Sequence, residues 1–353
     1  MTIELRDVTL RVGVDTHIYN TNLKLEAGEF NILLGTTLSG KTTLMRLMAG
    51  LEKPTSGEVW SEGTNVTGMP VQQRSVAMVY QAFINYPSFS VYDNIASPLK
   101  VAGLSRSEIE EKVERVADLL KLTPMLRRLP SELSGGQQQR TALARALVKG
   151  ADLVLLDEPL ANLDYKLREE LRDELPKLFA DAGATVVYAT SEPLEALMLG
   201  GHTATLKEGR VVQFGATPTI YRKPANIQSA QVFSDPPINT ATISKQGDRA
   251  RLGGDASWRV PPAVAELPDG EYRIALRPHH LLTEGEGVAV DGIVQIAEIS
   301  GSESIIRVDV HDNMWVCEAH GVHTYEVGEK AVFRFNAKHC MYFDADDRLV
   351  ETY

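Results

Sequence analysis

The sequence predicts two domains, an α/β domain with a mainly parallel central sheet followed by a smaller all-β domain. Up to Phe233, short apolar runs alternate with longer stretches in which apolar residues recur at helical spacing. Beyond Phe233, short segments of alternating polar and apolar residues are separated by Gly, Pro and Asp. The first pattern is typical of buried parallel strands joined by helices. The second is typical of a small β-barrel or sandwich.

Length and composition agree with this division. The chain has 353 residues, 43% hydrophobic and 24% charged, which suits a globular protein of two domains. The formal net charge is −11, so the phosphates of a nucleic acid would repel it, and no nucleic acid is expected as a partner. The cysteines Cys317 and Cys340 have the spacing of neither a zinc site nor a disulfide framework, which favours a reducing compartment.

The chain carries no predicted membrane segment. Its first ten residues include charged side chains and lack the apolar core of a signal peptide. No uncharged apolar stretch approaches the length that spans a bilayer. We therefore expect any role at a membrane to depend on a partner.

The elements of the first domain can be predicted in chain order. Strands are predicted at residues 2–10, 21–25, 30–34, 153–156 and 184–189. Helices are predicted at residues 41–51, 104–122 and 140–149. Pro176 is expected to kink a further helix at residues 167–179.

The second domain is expected after a linker at residues 234–237, which read Ser-Asp-Pro-Pro. The predicted domains are therefore residues 1–233 and 234–353. Strands of the second domain are predicted at residues 272–276, 292–299, 305–310, 315–318 and 331–335.

A phosphate-binding loop is predicted between the strand at 30–34 and the helix that follows. Residues 35–42 fit the pattern GxxxxGK[ST], in which backbone N–H groups and the helix N-terminus face an anion. Lys41 is expected to reach the β- and γ-phosphates, and the hydroxyl of Thr42 is expected to bind Mg²⁺. The predicted nucleotide contacts are Gly35, Thr36, Thr37, Leu38, Ser39, Gly40, Lys41, Thr42 and Thr43.

An acid pair follows the apolar run at residues 153–156. Asp157 and Glu158 lie at the carboxyl end of a predicted parallel strand, where α/β folds bind their ligands. We expect Asp157 to hold Mg²⁺ and Glu158 to polarise the attacking water as a general base. The alternative is an acid pair that only caps the next helix.

The run LSGGQQQR at residues 133–140 resembles the signature motif of ABC ATPases, and it lies between the phosphate loop and the acid pair as in that family. The resemblance implies a head-to-tail dimer of ATPase subunits that encloses two ATP molecules. In such a dimer this loop serves the nucleotide of the opposite subunit, through a hydroxyl and N–H groups at a helix start. The implied contacts are Ser134, Gly135, Gly136 and Gln137.

Other segments resemble further landmarks of the family. Gln81 resembles the Q-loop glutamine, which contacts Mg²⁺ and the attacking water. Residues 161–164 resemble the D-loop, and about 85–150 the helical subdomain that docks on membrane partners. The resemblance implies two transmembrane permease subunits, a periplasmic solute-binding protein as an indirect partner, and a peripheral location at the cytoplasmic face of a bacterial inner membrane. Tyr86, Phe89 and Tyr92 are candidates for the docking groove.

The second domain resembles the regulatory-type domain of carbohydrate-importer ATPases. The resemblance is carried by FSDPPIN at residues 233–239 and ALRPHHL at residues 275–281. It implies an OB-like β-barrel of the TOBE or MOP type. The alternative to a regulatory role is that this domain only enlarges the dimer interface.

Two positions depart from the family pattern. Ser191 stands where the family has a histidine that contacts the γ-phosphate, and none of the eight histidines lies between His17 and His202. Since serine is uncharged at pH 7, the site on this chain's own phosphate loop is expected to hydrolyse ATP slowly. Val12 stands where the family stacks adenine on an aromatic ring, so Tyr19 is predicted to replace that ring, with His17 as the alternative.

These departures lead to a functional hypothesis. The chain is expected to be one of two unlike ATPase subunits of an ABC importer for a sugar or polyol. Glycerol is favoured because residues 35–43, 80–87 and 157–170 resemble glycerol-importer ATPases. The alternatives are an ATP-binding regulatory module and an ABC ATPase not engaged in transport.

Overall fold

The computed structural model describes residues 1–82, 84–161, 163–254 and 256–352. The chain divides into two compact units, Met1–Thr217 and Pro218–Tyr353. The first unit alternates helices with parallel strands, and the second is dominated by antiparallel strands, which confirms the predicted fold class. The domain boundary between residues 233 and 234 stays a prediction from sequence.

The first unit contains ten strands and six helices in its described part. The strands are β1 (Ile3–Val12), β2 (Asp15–Lys24), β3 (Phe30–Leu34), β4 (Ser56–Ser61), β5 (Thr64–Asn65), β6 (Val76–Val79), β7 (Leu153–Asp157), β8 (Thr185–Thr190), β9 (His202–Lys207) and β10 (Arg210–Ala216). The helices are α1 (Lys41–Ala49), α2 (Val91–Val101), α3 (Arg106–Leu119), α4 (Gly135–Lys149), α5 (Tyr165–Ala182) and α6 (Pro193–Leu199).

Two sheets form the core of this unit. The larger sheet has the order β10-β9-β3-β8-β7-β6, and all neighbours are parallel except the edge pair β9 and β10. The smaller sheet, in the order β2-β1-β4-β5, is antiparallel. Leu44 and Met48 of α1 belong to one buried cluster with Leu5 of β1 and Leu33 of β3, so α1 joins both sheets in a common core. The phosphate-loop helix is thereby fixed at its apolar face.

The ends of the helices explain where prediction and structure differ. Helix α4 begins at Gly135, earlier than the predicted residue 140, because Ser134 and Gln137 form a reciprocal capping box. Helix α5 runs through Pro176 to Ala182 without ending there, and Asp164 caps its first turn. Among the described residues, no helix combines the length and apolar character needed to cross a bilayer.

The second unit is built from short strands and a few helical turns. Its strands are β11 (Asn239–Gln246), β12 (Arg249–Arg251), β13 (Ser257–Arg259), β14 (Gly270–Leu276), β15 (Leu281–Leu282), β16 (Val288–Ile299), β17 (Glu303–Val310), β18 (Asn313–His320), β19 (Lys330–Phe335), β20 (Met341–Phe343) and β21 (Leu349–Glu351). The remaining helices are α7 (Thr217–Arg222), α8 (Ile227–Val232) and α9 (Pro262–Ala265).

These strands form two antiparallel sheets around one apolar core. The orders are β13-β12-β11-β14-β20-β21 and β15-β19-β16-β17-β18. Asn239 of β11 and Val316 of β18 exchange two hydrogen bonds, with N···O distances of 2.6 and 2.8 Å. Trp315 also donates its indole N–H to the carbonyl of Thr240 at 3.1 Å. Bonds between the two sheets give a barrel-like arrangement, in agreement with the predicted all-β domain.

Candidate nucleotide site

The phosphate loop is a tight turn between β3 and α1. Leu38 and Gly40 have positive φ angles of 67° and 104°, and the side chain of Leu38 is 95% exposed. A Cβ atom on Gly35 would lie 2.5 Å from the Oγ of Ser39 and 2.6 Å from the carbonyl oxygen of Leu206. Only glycine fits at that position. A leucine in a left-handed conformation costs free energy, and such residues concentrate at functional sites.

A cavity of about 530 Å³ opens over this loop. That volume lies within the range of small-molecule sites. The phosphate loop supplies most of its wall, together with two of the three predicted catalytic residues, Gln81 and Glu158, and the turn between β9 and β10. The lining residues are Thr16, His17, Tyr19, Thr37, Leu38, Ser39, Gly40, Lys41, Thr42, Thr43, Gln81, Glu158, Glu208 and Gly209.

Lys41 is held inside the loop by backbone oxygens. Its Nζ donates to the carbonyls of Gly35 and Thr36 at 2.7 and 3.0 Å, and it lies 3.7 Å from a carboxylate oxygen of Glu158. Only 5% of the residue is exposed. Burial lowers the pKa of Lys41, whereas the charges of Glu158 and Asp157 raise it. The ammonium group therefore lies inside the loop, where the sequence predicts that it reaches the phosphates.

Thr42 and Asp157 form the predicted metal-binding pair. The hydroxyl of Thr42 donates to a carboxylate oxygen of Asp157 at 2.7 Å. Burial raises the pKa of Asp157, and the hydrogen bond from Thr42 opposes that shift. A buried carboxylate beside a hydroxyl is a set of oxygen donors that suits Mg²⁺, and Gln81 lines the same cavity. These residues fit the ion that the family uses.

Glu158 and Gln81, two of the three residues predicted to be catalytic, are in direct contact. The Nε2 of Gln81 donates to the carboxylate of Glu158 at 2.9 Å. The backbone of Glu158 has a φ of 46°, a left-handed conformation that is uncommon outside glycine. Its N–H donates to the carbonyl of Ala189 on β8, which holds the strained turn in place. The carboxylate is therefore aimed into the cavity by a fixed backbone.

Ser191 follows β8 at the same edge of the sheet. Thr190 pairs with Leu34 in register, and the N–H of Gly35 donates to the carbonyl of Thr190 at 3.3 Å. Ser191 is exposed and is not part of the cavity wall described above. His202 is half-buried, and its Nδ1 lies 2.9 Å from a carboxylate oxygen of Glu29.

The predicted signature residues lie away from this cavity. Ser134, Gly135, Gly136 and Gln137 form the first turn of α4, and none of them belongs to the wall of the phosphate-loop cavity. Ser134 and Gly135 are exposed, and a Cβ on Gly135 would meet nothing within 4 Å. Packing inside this chain therefore does not explain a glycine at that position.

Tyr19, the ring predicted to stack on adenine, is in contact with a cationic side chain. Tyr19 lines the cavity, but the guanidinium of Arg210 lies over its ring at 3.7 Å from the centroid. His17 also lines the cavity, and Val12 is 49% exposed outside it. One face of the Tyr19 ring is thus already covered by a cation. The role of Tyr19 in base stacking remains a prediction.

Some residues that shape the site could not be predicted from motifs. Buried Gln139 of α4 donates to the carbonyl of Pro159 at 2.5 Å, which ties the signature helix to the acid pair. Gly209 has a φ of 74°, and its N–H donates to the carbonyl of Ser39. The only sequence signal for Gln139 is its place in the run LSGGQQQR at residues 133–140.

The predicted D-loop at residues 161–164 includes Asn162, which lies outside the described residues.

Comparison with known proteins agrees with the fold. The ABC transporter family model matches residues 18–161, and the TOBE domain model matches residues 274–343. The chain is 34% identical to the sn-glycerol-3-phosphate import ATP-binding protein UgpC of Cupriavidus pinatubonensis, over 93% of each chain. It is 38% identical to the trehalose/maltose import ATP-binding protein MalK of Thermococcus litoralis, over 87% of this chain and 88% of the relative.

A third relative and a solved structure extend the comparison. The alpha-glucoside transport ATP-binding protein AglK of Rhizobium meliloti is 33% identical over 97% of each chain. The dimeric post-hydrolysis structure of the ATP-binding cassette MJ0796, bound to ADP and Pi, matches with a TM-score of 0.57 and 30% identity. That match covers 61% of this chain and 98% of the cassette.

The fold and the site define a P-loop ATPase of the ABC type with a C-terminal TOBE domain. The chain belongs to the ABC transporter ATP-binding proteins, and its enzymatic class is that of an ATPase coupled to transport.

Proposed function

We propose that this chain binds and hydrolyses ATP to energise the import of a sugar or polyol through two transmembrane permease subunits. It would work as a peripheral subunit at the cytoplasmic face of a bacterial inner membrane, supplied by a solute-binding protein outside. The single observation that carries the ATPase part is the contact of Gln81 with Glu158 in one cavity with Lys41 and the phosphate loop.

The chemistry follows from these side chains. Backbone N–H groups of the loop and the ammonium of Lys41 bind the phosphates, as anions are bound at helix N-termini. Glu158 accepts a proton from water while the water oxygen bonds to the γ-phosphorus and the bond to the β-phosphate oxygen breaks. Thr42, Asp157 and Gln81 would hold Mg²⁺, which supplies neutralisation of phosphate charge when bound.

We further propose that hydrolysis at this chain's own phosphate loop is slow and that its partner is an unlike ATPase subunit. Support comes from Ser191, which is neutral where the family has a histidine. Loss of one preorganised charge-stabilising group typically lowers the rate by about 10²–10³-fold. The intact, exposed signature turn at Ser134 would then serve the partner's site.

The solute is proposed at the level of a class. The three relatives are named for glycerol-3-phosphate, trehalose or maltose, and alpha-glucosides, at similar identities of 33–38%. All of these solutes carry several hydroxyl groups. Within that class we propose glycerol, because the runs at residues 35–43, 80–87 and 157–170 resemble glycerol-importer ATPases.

A second cavity, of about 640 Å³, supports docking to membrane partners. Ile84 and Tyr86 line it and are 60% and 47% exposed. The ring of Phe89 lies against that of Tyr86 at 5.2 Å, and the guanidinium of Arg145 lies over Tyr86 at 4.4 Å. An exposed apolar groove of this kind is typical of helix-in-groove recognition. Tyr92, the third candidate, is half-buried and is not part of the wall.

The test is steady-state ATP hydrolysis by the transporter assembled from this chain, its permease subunits and any second ATPase. Glu158→Gln in this chain should reduce but not abolish hydrolysis if an unlike partner performs most turnovers. Ser191→His should raise hydrolysis at this chain's site. Full activity of an assembly that contains this chain as its only ATPase would contradict the unlike pair and the weakened site.

A second candidate function is an ATP-binding regulatory module, and Ser191 is the observation that favours it. In that case ATP would bind through Lys41 and no condition would give turnover. Two results together would support a regulatory module. The purified chain would bind ATP, and every assembly would hydrolyse ATP at the same rate with the wild-type chain as with Glu158→Gln. Co-purification of the permease subunits separates a transporter subunit from an ATPase not engaged in transport.

A further inference from the structure

A buried carboxylate lies directly behind the segment that carries Ser191. Glu195, in α6, is only 4% exposed, although it is an ionisable residue. Buried glutamates are uncommon unless a partner compensates them. The hydrogen-bond partners of Glu195 are neutral hydroxyl groups, and no cationic side chain in the described part of the chain forms an ion pair with it.

Two buried residues of β8 donate to the same oxygen of Glu195. The hydroxyl of Thr190 donates at 2.6 Å and the phenol of Tyr188 at 3.2 Å. Tyr188 and Thr190 are 0% and 2% exposed. Burial raises the pKa of Tyr188 well above its usual value, so the phenol keeps its proton and remains a donor. The carboxylate thus fixes the direction of the Thr190 hydroxyl.

The fixed hydroxyl closes a turn around Ser191. With its proton directed to Glu195, the oxygen of Thr190 accepts the N–H of Glu192 at 3.0 Å. This bond spans Ser191 and sets the path of its backbone. On the other side, the carbonyl of Thr190 accepts the N–H of Gly35 at 3.3 Å, so the same residue contacts the phosphate loop.

Glu192 is also contacted from α5. The guanidinium of Arg168 lies 3.5 Å from a carboxylate oxygen of Glu192 and donates to the carbonyls of Ala161 and Leu163 at 3.3 and 3.4 Å. The residues on both sides of Ser191 are therefore tied to neighbouring elements. Ser191 itself is exposed.

We propose that Glu195 is a positioning residue, which through the hydroxyl of Thr190 holds the Ser191 segment at the edge of the nucleotide site. The proposal rests on the proposed ATPase function of that site. Glu195 does not line the cavity and acts through Thr190, so its effect is expected on turnover and not on nucleotide affinity.

The test compares Glu195→Ala with Glu195→Gln in the full-length chain, with Glu174→Ala as the control at an exposed glutamate of α5. Glutamine keeps an acceptor oxygen for Thr190 and Tyr188, whereas alanine removes it. In an assembled transporter whose other ATPase site has been inactivated, so that the measured turnover is that of this chain's own site, Glu195→Ala is expected to lower kcat about tenfold with KM within about twofold of the wild-type chain. Glu195→Gln and Glu174→Ala should stay within about twofold of wild type in both constants.

Hydrogen exchange gives a readout that does not need turnover. The amide of Glu192 should exchange about tenfold faster in Glu195→Ala and Thr190→Val than in wild type, and near the wild-type rate in Glu195→Gln and Thr190→Ser. Thr190→Val serves as the informative variant if Glu195→Ala does not fold. Unchanged exchange of Glu192 in Thr190→Val, or equal kcat losses in Glu195→Ala and Glu195→Gln, would overturn the proposal. A wild-type transporter without ATPase activity would instead contradict the proposed function, and the exchange result would still decide the role of Glu195.

Discussion

Two glycines, one in the phosphate loop and one in the signature turn, should respond differently to substitution by alanine. Gly35 begins the phosphate loop, where a Cβ would lie 2.5 Å from the Oγ of Ser39 and 2.6 Å from the carbonyl oxygen of Leu206. Gly135 begins helix α4, where a Cβ would meet nothing within 4 Å. Packing within this chain requires glycine at position 35 and does not require it at position 135, and substitution by alanine tests that difference.

The magnitude for Gly35→Ala follows from the contacts. The oxygen of Leu206 belongs to β9, which is bonded to β3 and β10, so it cannot move without the sheet. Overpacking of this kind costs about 1–3 kcal/mol. For a unit of this size that corresponds to a melting midpoint lower by roughly 3–10 °C. ATP affinity should fall as well, because the displaced Ser39 lies in the cavity wall.

Gly135→Ala should leave the isolated chain almost unchanged. An exposed substitution at a helix start typically alters stability by less than about 0.5 kcal/mol, and ATP affinity of the isolated chain should match wild type. In an assembled transporter, however, the variant should lower hydrolysis, because the added methyl group would face the nucleotide of the partner subunit in the proposed head-to-tail dimer.

The assays are thermal unfolding and calorimetric titration of the isolated chain with ATP, followed by hydrolysis in the assembly. A Gly35→Ala chain that melts within about 1 °C of wild type and binds ATP equally well would show that the close contacts relax at little cost, and the packing argument would be wrong. Normal hydrolysis by an assembly with Gly135→Ala would contradict the role of the signature turn.

Three further predictions concern titration and docking. Because burial raises the pKa of Glu195 above its usual 4.5, ionisation of Glu195 destabilises the folded state as the pH rises. The melting midpoint of Glu195→Gln should therefore exceed that of wild type by an amount that grows from pH 4 to pH 7. A difference that stays constant with pH would contradict this. Burial, with His279, His339 and Arg277 nearby, lowers the pKa of His280 from 6.5 to about 4. The free energy of unfolding of the second unit should therefore fall by about 1–2 kcal/mol between pH 6.5 and pH 4, after allowance for solvent screening at this half-exposed group. Urea unfolding of His280→Asn should not show that loss. Tyr86→Ala should weaken co-purification with permease subunits at unchanged ATP affinity, whereas the control Tyr272→Ala should not, and equal recovery of both variants would exclude the Tyr86 groove as the docking surface.

The acid pair Asp157 and Glu158 shows which features of the site the local sequence can predict. An apolar run that ends in Asp157 and Glu158 predicts a buried strand with its acids at the ligand edge, since a strand buried on both faces cannot alternate. The sequence cannot show that Glu158 takes a φ of 46° or that Gln81 donates to it. Those features depend on β8 and on a loop far away along the chain, which only the folded sheet brings together.

The sequence also misjudged an element boundary for a local reason. Helix α4 was expected from residue 140, because its first residues are Gly and Gln without apolar periodicity. The structure begins it at Gly135, where the Ser134 and Gln137 capping box compensates for two glycines of low helix propensity. A cap contributes to helix formation through hydrogen bonds that a hydrophobic pattern does not record.

The sequence by itself determined the two-domain fold class, the phosphate loop at residues 35–42, the acid pair and the signature run, because each depends on residue types at fixed local spacing. Tertiary structure alone decided that Arg210 covers the ring of Tyr19, and that Glu195 lies behind the Ser191 segment. It also decided that the signature turn at Ser134 lies outside this chain's own phosphate-loop cavity. The first and third of these relations concern residues distant in sequence, and the second depends on how α6 folds back beside β8. Local residue spacing specifies none of them, because each depends on how whole strands and helices pack.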